Sequence, residues 1–413
     1  MTRTVVEGSG TDKPDASDGS RDARNPPELN GACRIVHVGK YYPPHMGGIE
    51  IHLQDLVRKQ AQICSVSVLV ANDGIRTMRE WKDGAELYRL GCLGSIKSMP
   101  ICPGLPWHLG RLQADLIHLH MPNPAAAFAY VVSRCQIPLV LTHHSDTIGR
   151  ANIRRLSDPF VKEAMNRASR IIVTSKRYAD TSIELEKHLD KTAVVPLGID
   201  LSKFGKVNQE TVRNIQSKYG PRLVIAIGRL VPFKGFEILI RAMQNVSGNL
   251  LLVGDGPLRG HLQAVTRECG ISGKVFFAGE IDNSQIVNYL SAADIFALPS
   301  VSRAESFGIV QLEAMAAGIP VINTSIESGV PDVSLDGITG ITVPPADPGS
   351  LAQALTALLT DRELRLKMGE AGKARVRKEF SMDQMSMRTM RIYEEILGVS
   401  LVRGTRPSVL RPS

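Results

Sequence analysis

The chain has 413 residues, which is more than one hydrophobic core normally serves, so we expect two domains. Its 43% hydrophobic and 22% charged residues are typical of a globular protein, and no stretch approaches the roughly 18 apolar residues of a membrane span. The net charge of +8 predicts attraction to anionic partners, such as sugar nucleotides, phospholipid surfaces or nucleic acid.

Both ends of the chain are predicted to lie outside the folded core. Residues 1–32 are rich in Gly, Ser, Asp, Arg and Pro and contain no apolar stretch, which predicts a disordered tail without a signal peptide. Residues 398–413 are predicted to form a basic tail. The six cysteines show no CxxC spacing and mostly stand in apolar contexts, so we expect buried free thiols. These features favour a cytoplasmic protein.

Strands and helices alternate in the first half of the folded part. The spacing of Ile49, Leu53 and Leu56 predicts a helix directly after the first strand. Such alternation is typical of βαβ units in a parallel sheet that helices cover on both faces. The apolar runs that predict strands are 34–39, 64–70, 115–120, 138–143, 170–174 and 193–196.

The second half repeats this alternation after a polar stretch near 198–220, and 347–397 is predicted to be almost wholly helical, with a break near 380–381. We therefore predict an α/β protein with two doubly wound Rossmann-like domains, 33–200 and 201–380, that face each other across a cleft. Ligands of such sheets bind beyond the carboxyl ends of the strands. The predicted strands of this half are 222–228, 249–254, 274–278, 293–298 and 319–323.

Two glycines, Gly47 and Gly48, join the first strand to the first helix. Glycine lets the backbone approach a ligand closely, and the helix N-terminus beyond offers free N–H groups and a positive dipole end. This junction predicts a phosphate site, although a plain strand–turn–helix connection would read the same way.

Polar residues follow two neighbouring strands of the first half. His144 and Asp146 follow one strand, and His120 and Asn123 stand at the end of the preceding one. A histidine there can contact a sugar hydroxyl or donate to a phosphate oxygen, and a nearby Asp can orient it. Either histidine alone could be structural, but together they predict a shared polar cleft on the acceptor side.

Two cations follow the first strand of the second half. Arg229 supplies a planar fork of donors and Lys234 a compact positive charge. At the carboxyl end of a strand they can hold a diphosphate and stabilise its charge as it leaves, unless they form a surface salt bridge. Gly254 begins a Gly-x-Gly turn, a weak sign of nucleotide binding. Because the chain lacks any Asp-x-Asp pair, we predict no metal and no cofactor.

Glu305 and Glu313 stand eight residues apart, one in a polar loop and one inside a predicted helix. Carboxylates so placed can accept hydrogen bonds from several sugar hydroxyls. The run resembles the E-x-F-G-x-x-x-x-E motif of the retaining family-4 glycosyltransferases, which have the GT-B fold. The resemblance spans roughly residues 34–397 and includes the other motifs above. It also implies donor contacts from the residues that follow the first carboxylate, namely Ser306, Phe307, Gly308 and Ile309.

The resemblance implies a role for each motif. Glu313 would accept hydrogen bonds from the nucleotide ribose and Glu305 from the donor sugar. Arg229 and Lys234 would hold the diphosphate with backbone help from Gly48. The cleft residue His144 would lie near the anomeric centre of the donor sugar. The helix 381–397 would cross back onto the first domain. A metal-independent front-face reaction with retention is expected.

Residues 38–48 look like those of bacterial enzymes that assemble cell-surface polysaccharides. The resemblance implies a nucleotide-sugar donor, GDP-mannose first, with UDP-glucose, UDP-N-acetylglucosamine and rhamnose donors open. The acceptor would be a saccharide or polyprenyl-linked saccharide at the inner membrane face. The basic segment 150–170 suits an anionic membrane surface, whereas the lack of interleaved aromatic residues argues against nucleic acid. A nucleotide-sugar epimerase and a non-catalytic binding protein remain alternatives.

Overall fold

The structure, a computed structural model, describes residues 33–45, 47–96, 99–146 and 151–401, and for 151–156 only the backbone. The predicted disordered tail 1–32 and most of the predicted basic tail 398–413 therefore lie outside the described residues. So do the loop residue 46 and the segment 147–150 beside two of the predicted site motifs.

The first lobe, residues 34–194, is built on an eight-stranded sheet in the order β10-β9-β8-β7-β1-β2-β4-β3. Neighbouring strands are parallel except for β3 and β4, which are antiparallel. The strands of this half are β1 Arg34–Val38, β2 Ser65–Ala71, β3 Met78–Lys82, β4 Ala85–Leu90, β5 Ser95–Ile96, β6 Met99–Pro100, β7 Leu116–Met121, β8 Leu139–His143, β9 Arg170–Val173 and β10 Thr192–Val194. Strands β5 and β6 pair only with each other.

The second lobe, residues 223–343, is built on a six-stranded sheet in the order β13-β12-β11-β14-β15-β16. All its neighbouring strands are parallel. The two sheets confirm the predicted α/β class with two Rossmann-like lobes. The strands are β11 Leu223–Ile227, β12 Asn249–Val253, β13 Val275–Gly279, β14 Ile295–Ala297, β15 Val321–Thr324 and β16 Gly340–Val343.

Outside the run from β2 to β6, helices connect successive strands and cover the sheets, as a parallel arrangement requires. No helix in the described ranges is long and apolar enough to cross a bilayer. The helices are α1 Gly48–Gln60, α2 Leu105–Arg111, α3 Pro124–Val132, α4 Ala151–Arg167, α5 Lys176–Thr181, α6 Gln209–Tyr219, α7 Phe236–Ala242, α8 Arg259–Glu268, α9 Ile286–Ala292, α10 Val310–Ala317, α11 Val330–Val333, α12 Pro348–Thr360, α13 Arg362–Glu379 and α14 Met382–Leu397.

Burial on both faces explains why the central strands read as continuous apolar runs. Every residue of β11 is buried. Leu223 and Ile225 pack into one hydrophobic cluster, while Val224 and Ala226 pack into another on the opposite face. Strand β1 does the same with Val36 and its neighbours.

Each sheet has one point where the strand order reverses, between β1 and β7 in the first lobe and between β11 and β14 in the second. Loops that leave the two strands at such a point diverge to opposite faces and open a crevice, which is where ligands of these sheets bind. Predicted site residues lie at the ends of these strands or after them: His120 is the last residue but one of β7, Arg229 follows β11 and Glu305 lies in the loop after β14.

The last helix, α14, lies against the first lobe. Lys59 Nζ on α1 lies 2.6 Å from Asp383 Oδ1 at the start of α14. Where the chain crosses, Ile199 N donates to Phe380 O at 2.9 Å, and Met382 N donates to Ile199 O at 3.2 Å. These contacts join the segment 382–397 to the first lobe.

Some elements escaped the sequence prediction. Strand β3 is exposed along most of its length and carries no apolar run, because it is an antiparallel edge strand. The helical stretch 347–397 breaks near 380–381 as predicted, but it also breaks at Asp361, whose side chain caps α13 by accepting from Leu364 N at 2.9 Å.

We expect Gly254→Ala to lower the free energy of unfolding by at least about 2 kcal/mol. Gly254 has a φ of +121°, and a Cβ there would meet the Gly228 carbonyl oxygen. The matched control is Gly260→Ala in α8, where a Cβ meets nothing within 4 Å and alanine should raise stability by about 0.5–1 kcal/mol. Thermal unfolding of both variants checks this, and equal midpoints would contradict it.

Candidate active site

The second lobe brings Lys234 and Glu305 together. Lys234 closes a short 3-10 turn after β11, and Glu305 lies in the loop after β14. Lys234 Nζ lies 2.5 Å from Glu305 Oε2, and each side chain is only about a tenth exposed. Ser300 Oγ donates to the same carboxylate oxygen at 3.2 Å. The two charges therefore hold each other in place at the reversal point of the sheet, which offsets part of their desolvation cost.

The other cation, Arg229, is exposed and lies in the same connection as Lys234, between β11 and α7. Among the described residues no acidic side chain pairs with it, so its guanidinium is available to an anionic ligand. The backbone here is close-packed: Gly228 has a φ of +152°, and a Cβ on it would lie 3.2 Å from Lys234 Cε. A larger residue at Gly228 would displace the lysine that sits over it.

The predicted ribose ligand, Glu313, lies in the first turn of α10 and is partly buried. Burial raises the pKa of Glu313 to about 7, although the positive charge of Lys203 acts in the opposite direction. No described residue donates a hydrogen bond to its carboxyl group. A carboxyl group that accepts no hydrogen bond from these residues is suited to accept hydrogen bonds from a ligand.

The residues between the two carboxylates serve mainly to shape the loop. Gly308 has a φ of +69°, which favours glycine, and a Cβ there would lie 2.6 Å from Leu298 Cδ2. Phe307 is buried and packs edge-on against Phe380, so its side chain belongs to the core and only its backbone could touch a donor. Ser306 O accepts from Gly329 N at 2.8 Å, and Ile309 is the N-cap residue of α10.

We expect Glu313→Gln to stabilise the protein above neutral pH by about 1–2 kcal/mol. A carboxyl group whose pKa rises from about 4.3 to about 7 on folding stabilises the native state at low pH, and this contribution is lost as pH rises through 7. The melting temperature of the variant should therefore exceed that of the wild type at pH 8 and match it near pH 4. The exposed Glu395→Gln serves as the control and should show no such divergence.

In the first lobe, Gly47 and Gly48 stand at the start of α1 as predicted. Gly47 is the N-cap residue in an extended conformation, and a Cβ on it would collide with the Glu50 carboxylate. A Cβ on Gly48 would meet no atom of the described residues within 4 Å apart from its neighbours in the chain, so their packing does not require glycine there. The start of this 13-residue helix therefore has room for a ligand at Gly48, although the Glu50 carboxylate lies close to Gly47.

The cleft histidines lie together and are buried. His120 Nδ1 lies 3.4 Å from His144 Nε2, and His52 of α1 packs edge-on against His144 with ring centroids 4.9 Å apart. Burial lowers the pKa of all three imidazoles, that of His52 to about 3, so they are neutral at physiological pH. Asn123 caps α3 by accepting from Ala126 N at 3.2 Å, which gives it a structural role in addition to any ligand contact.

Asp146 connects the two lobes through a residue that sequence reasoning missed. Arg303 Nη2 of the second lobe lies 2.7 Å from Asp146 Oδ2, and Ser182 and Tyr178 also donate to this carboxylate. Asp146 is two residues from His144, and Arg303 is two residues from Glu305. Since two residues span at most about 7 Å, the two lobes' predicted site residues are brought to one region. A cation next to the carboxylate motif was the only sequence signal for Arg303.

Three groups of described residues bring three metal-ligating atoms within 4.8 Å of one another. In the first and third groups every imidazole or carboxylate already has a protein partner. In the second, His52 Nε2 is buried and unpaired. The absence of a metal or cofactor in the reaction thus stays a prediction. The groups are His37, His118 and His120; His52, His120 and His144; and His143, Asp146 and Glu184.

The predicted membrane-binding segment 150–170 coincides largely with α4. Residue 150 lies outside the described residues, and the side chains of 154 and 155 are not described. Arg167 Nε lies 2.6 Å from Glu163 Oε1, so part of the positive charge is neutralised within the helix.

Comparison with known proteins supplies the family. The model for glycosyltransferase family 4 matches residues 46–203, and that for glycosyl transferases group 1 matches 208–375. A GDP-mannose-dependent monoacylated alpha-(1-6)-phosphatidylinositol monomannoside mannosyltransferase of Corynebacterium glutamicum is 34% identical over 390 residues, 89% of this chain and 99% of that protein. The chain belongs to the family 4 glycosyltransferases.

A second relative and a solved structure are also similar to this glycosyltransferase. The O-antigen chain mannosyltransferase C of Escherichia coli is 26% identical over 373 residues, 88% of this chain and 99% of that protein. Sucrose-phosphate synthase from Thermosynechococcus elongatus has a similar structure, with a TM-score of 0.75 at 23% identity over 89% of this chain and 100% of that chain. The fold of this glycosyltransferase is GT-B, and the family resemblance predicted from its motifs is confirmed.

Proposed function

We propose that this glycosyltransferase is a retaining hexosyltransferase that moves a sugar from a nucleotide-sugar donor to a saccharide or lipid-linked saccharide in surface polysaccharide or glycolipid synthesis. The observation that supports this most is the Lys234–Glu305 pair at the reversal point of the second sheet, with Arg229 beside it. The two cations, Arg229 and Lys234, suit a diphosphate, and the Glu305 carboxylate suits sugar hydroxyls. The ion pair between Asp146 and Arg303 joins the polar cleft of the first lobe to the loop that carries Glu305.

GDP-mannose is the donor that we propose first. Two relatives are named as mannosyltransferases, and the name of the Corynebacterium glutamicum protein also includes GDP-mannose and a phosphatidylinositol monomannoside. The latter favours a lipid-linked acceptor at the inner face of the membrane. UDP-glucose, UDP-N-acetylglucosamine and rhamnose donors remain alternatives, because the roles proposed for the site residues concern the sugar, the ribose and the diphosphate, and none of them distinguishes one base from another.

In the proposed reaction the bond between the anomeric carbon and the phosphate oxygen breaks while the acceptor hydroxyl attacks from the same face. The acceptor proton passes to the departing phosphate oxygen, and the sugar passes through an oxocarbenium-like state. Arg229 and Lys234 stabilise the negative charge that develops on the diphosphate. Donor binding would separate Lys234 from Glu305, so that the lysine meets phosphate and the carboxylate meets hydroxyls.

A panel of nucleotide sugars tests the proposal. Purified protein is incubated with each one, with and without lipid-linked saccharides, and released nucleotide and sugar products are measured. Release of one nucleotide with transfer of its sugar, greatest for GDP-mannose, is expected. Conversion of the sugar without nucleotide release would indicate an epimerase instead, and binding without any turnover would indicate a non-catalytic module.

We expect Arg229→Ala to lower turnover about a hundredfold, because one cation is then missing when the diphosphate departs. The matched control is Arg267→Ala, an exposed arginine on α8 of the same lobe, which should keep wild-type turnover. Rates of nucleotide release with the best donor check this. Near-normal turnover of Arg229→Ala would remove this residue from the reaction.

A further inference from the structure

A series of buried side chains runs from the cleft into the first lobe. His144 Nε2 lies 3.4 Å from His120 Nδ1, and His120 Nε2 lies 3.0 Å from His37 Nδ1. His37 Nε2 in turn lies 2.7 Å from Gln60 Oε1 at the end of α1. All four residues are at most 5% exposed. The contacts thus form an unbroken row of nitrogen and oxygen atoms that water does not interrupt.

Gln60 also joins this row to the last helix. Its Nε2 donates to the Tyr393 hydroxyl of α14 at 3.3 Å. That hydroxyl lies 2.6 Å from His118 Nδ1, and His118 Nε2 lies 2.6 Å from Thr142 Oγ1. Burial raises the pKa of Tyr393, so the phenol keeps its proton and can donate it to His118 Nδ1. His118 then donates from Nε2 to Thr142, and each of these donors has an acceptor.

Hydrogen bonds between neutral imidazoles have a direction. Burial lowers the pKa of His37 to about 4 and the pKa values of His120 and His144 further below the ordinary value. Each ring therefore has one N–H group and one lone pair. When one ring donates to the next, its other nitrogen must accept. All hydrogen bonds of the row are therefore donated in the same direction, either from the cleft inwards or from the inner end towards the cleft. The group at the inner end determines which direction it is.

Gln60 is that group. Because its carbonyl oxygen faces His37, His37 Nε2 must carry the proton and His37 Nδ1 must accept. His120 then donates from Nε2 and accepts at Nδ1, and His144 donates from Nε2. If the hydrogen bonds ran in the opposite direction, the amide nitrogen of Gln60 would have to donate to His37. It would then no longer donate to the Tyr393 hydroxyl.

We infer that Gln60, His37 and His120 are positioning residues that hold His144 in the Nε2–H tautomer, so that His144 Nδ1 presents a lone pair to the cleft. In the described part of the chain no residue hydrogen-bonds to His144 Nδ1, and it is not among the buried unpaired nitrogens. This nitrogen therefore keeps some accessible surface, through which a ligand group can approach it.

The consequence concerns what His144 recognises, and it depends on the transferase function proposed above. A lone pair accepts a hydrogen bond from a sugar hydroxyl, but it repels a phosphate oxygen. His144 therefore accepts from a hydroxyl, which we assign to the donor sugar, and does not contact the diphosphate, which is left to Arg229 and Lys234. The sequence alone left both partners open for this histidine.

The tautomer can be measured in the free protein, whether or not it is an active transferase. Two-bond ¹H–¹⁵N correlation spectra of protein labelled with ¹⁵N in the imidazole rings show which nitrogen carries the proton, and His144→Gln assigns the signal. We expect the Nε2–H form in the wild type. We also expect it in Gln60→Glu, which keeps an acceptor oxygen, and in the exposed control Gln62→Leu. Gln60→Leu should show both tautomers. An Nδ1–H form in the wild type would overturn the inference, even if Gln60→Leu failed to fold.

A kinetic test then links the tautomer to the sugar. With donors that each lack one hydroxyl, kcat/KM of the wild type should fall about tenfold for the hydroxyl that His144 accepts, the size of one hydrogen bond. In Gln60→Leu that loss should shrink to about twofold or less, while Gln60→Glu restores it. An undiminished loss in Gln60→Leu, or no loss with any deoxy donor, would overturn the role of the row. If no nucleotide sugar supports transfer at all, the proposed function fails while the tautomer assignment still stands on its spectrum.

Discussion

Parallel strand pairing is the constraint on which the site depends. In a parallel sheet all strands end at the same edge, and the loops that leave a reversal point diverge and open a crevice. The chain satisfies this constraint twice, between β1 and β7 and between β11 and β14. The charged and polar side chains therefore need no special framework of their own. They are placed by loops that the two sheets already bring to their carboxyl ends.

Burial then determines how these side chains behave. Lys234 and Glu305 are both nearly buried and neutralise each other, whereas Arg229 is exposed and unpaired among the described residues. In the first lobe the buried histidines His118, His120 and His144 are neutral, because burial would remove the hydration of a charged imidazole and lowers their pKa values. One lobe therefore offers charges and the other offers neutral donors and acceptors. This division suits a ligand that has an anionic part and a hydroxyl-rich part.

Most of the architecture could be predicted from the sequence, because strands buried on both faces read as continuous apolar runs, as β11 does. Strand β3 could not be, since an exposed edge strand has no such run. Among the candidate site residues, Glu305 and Glu313 were predicted from their spacing, and Arg229 and Lys234 from their place after a strand. Arg303 and Gln60 were missed, because each acts through a partner more than 20 residues away in the chain.

The sequence by itself determined the α/β class, the family and the residue types at the strand ends, because these follow from local apolar patterns and a motif whose spacing is short. Only the tertiary structure decided which of these groups share a proton or a charge. Lys234 forms an ion pair with Glu305, Asp146 forms one with Arg303, and Gln60 hydrogen-bonds to both His37 and Tyr393. Hydrogen bonds and ion pairs depend on distances of about 3 Å between groups far apart in the chain, and no local pattern encodes such distances.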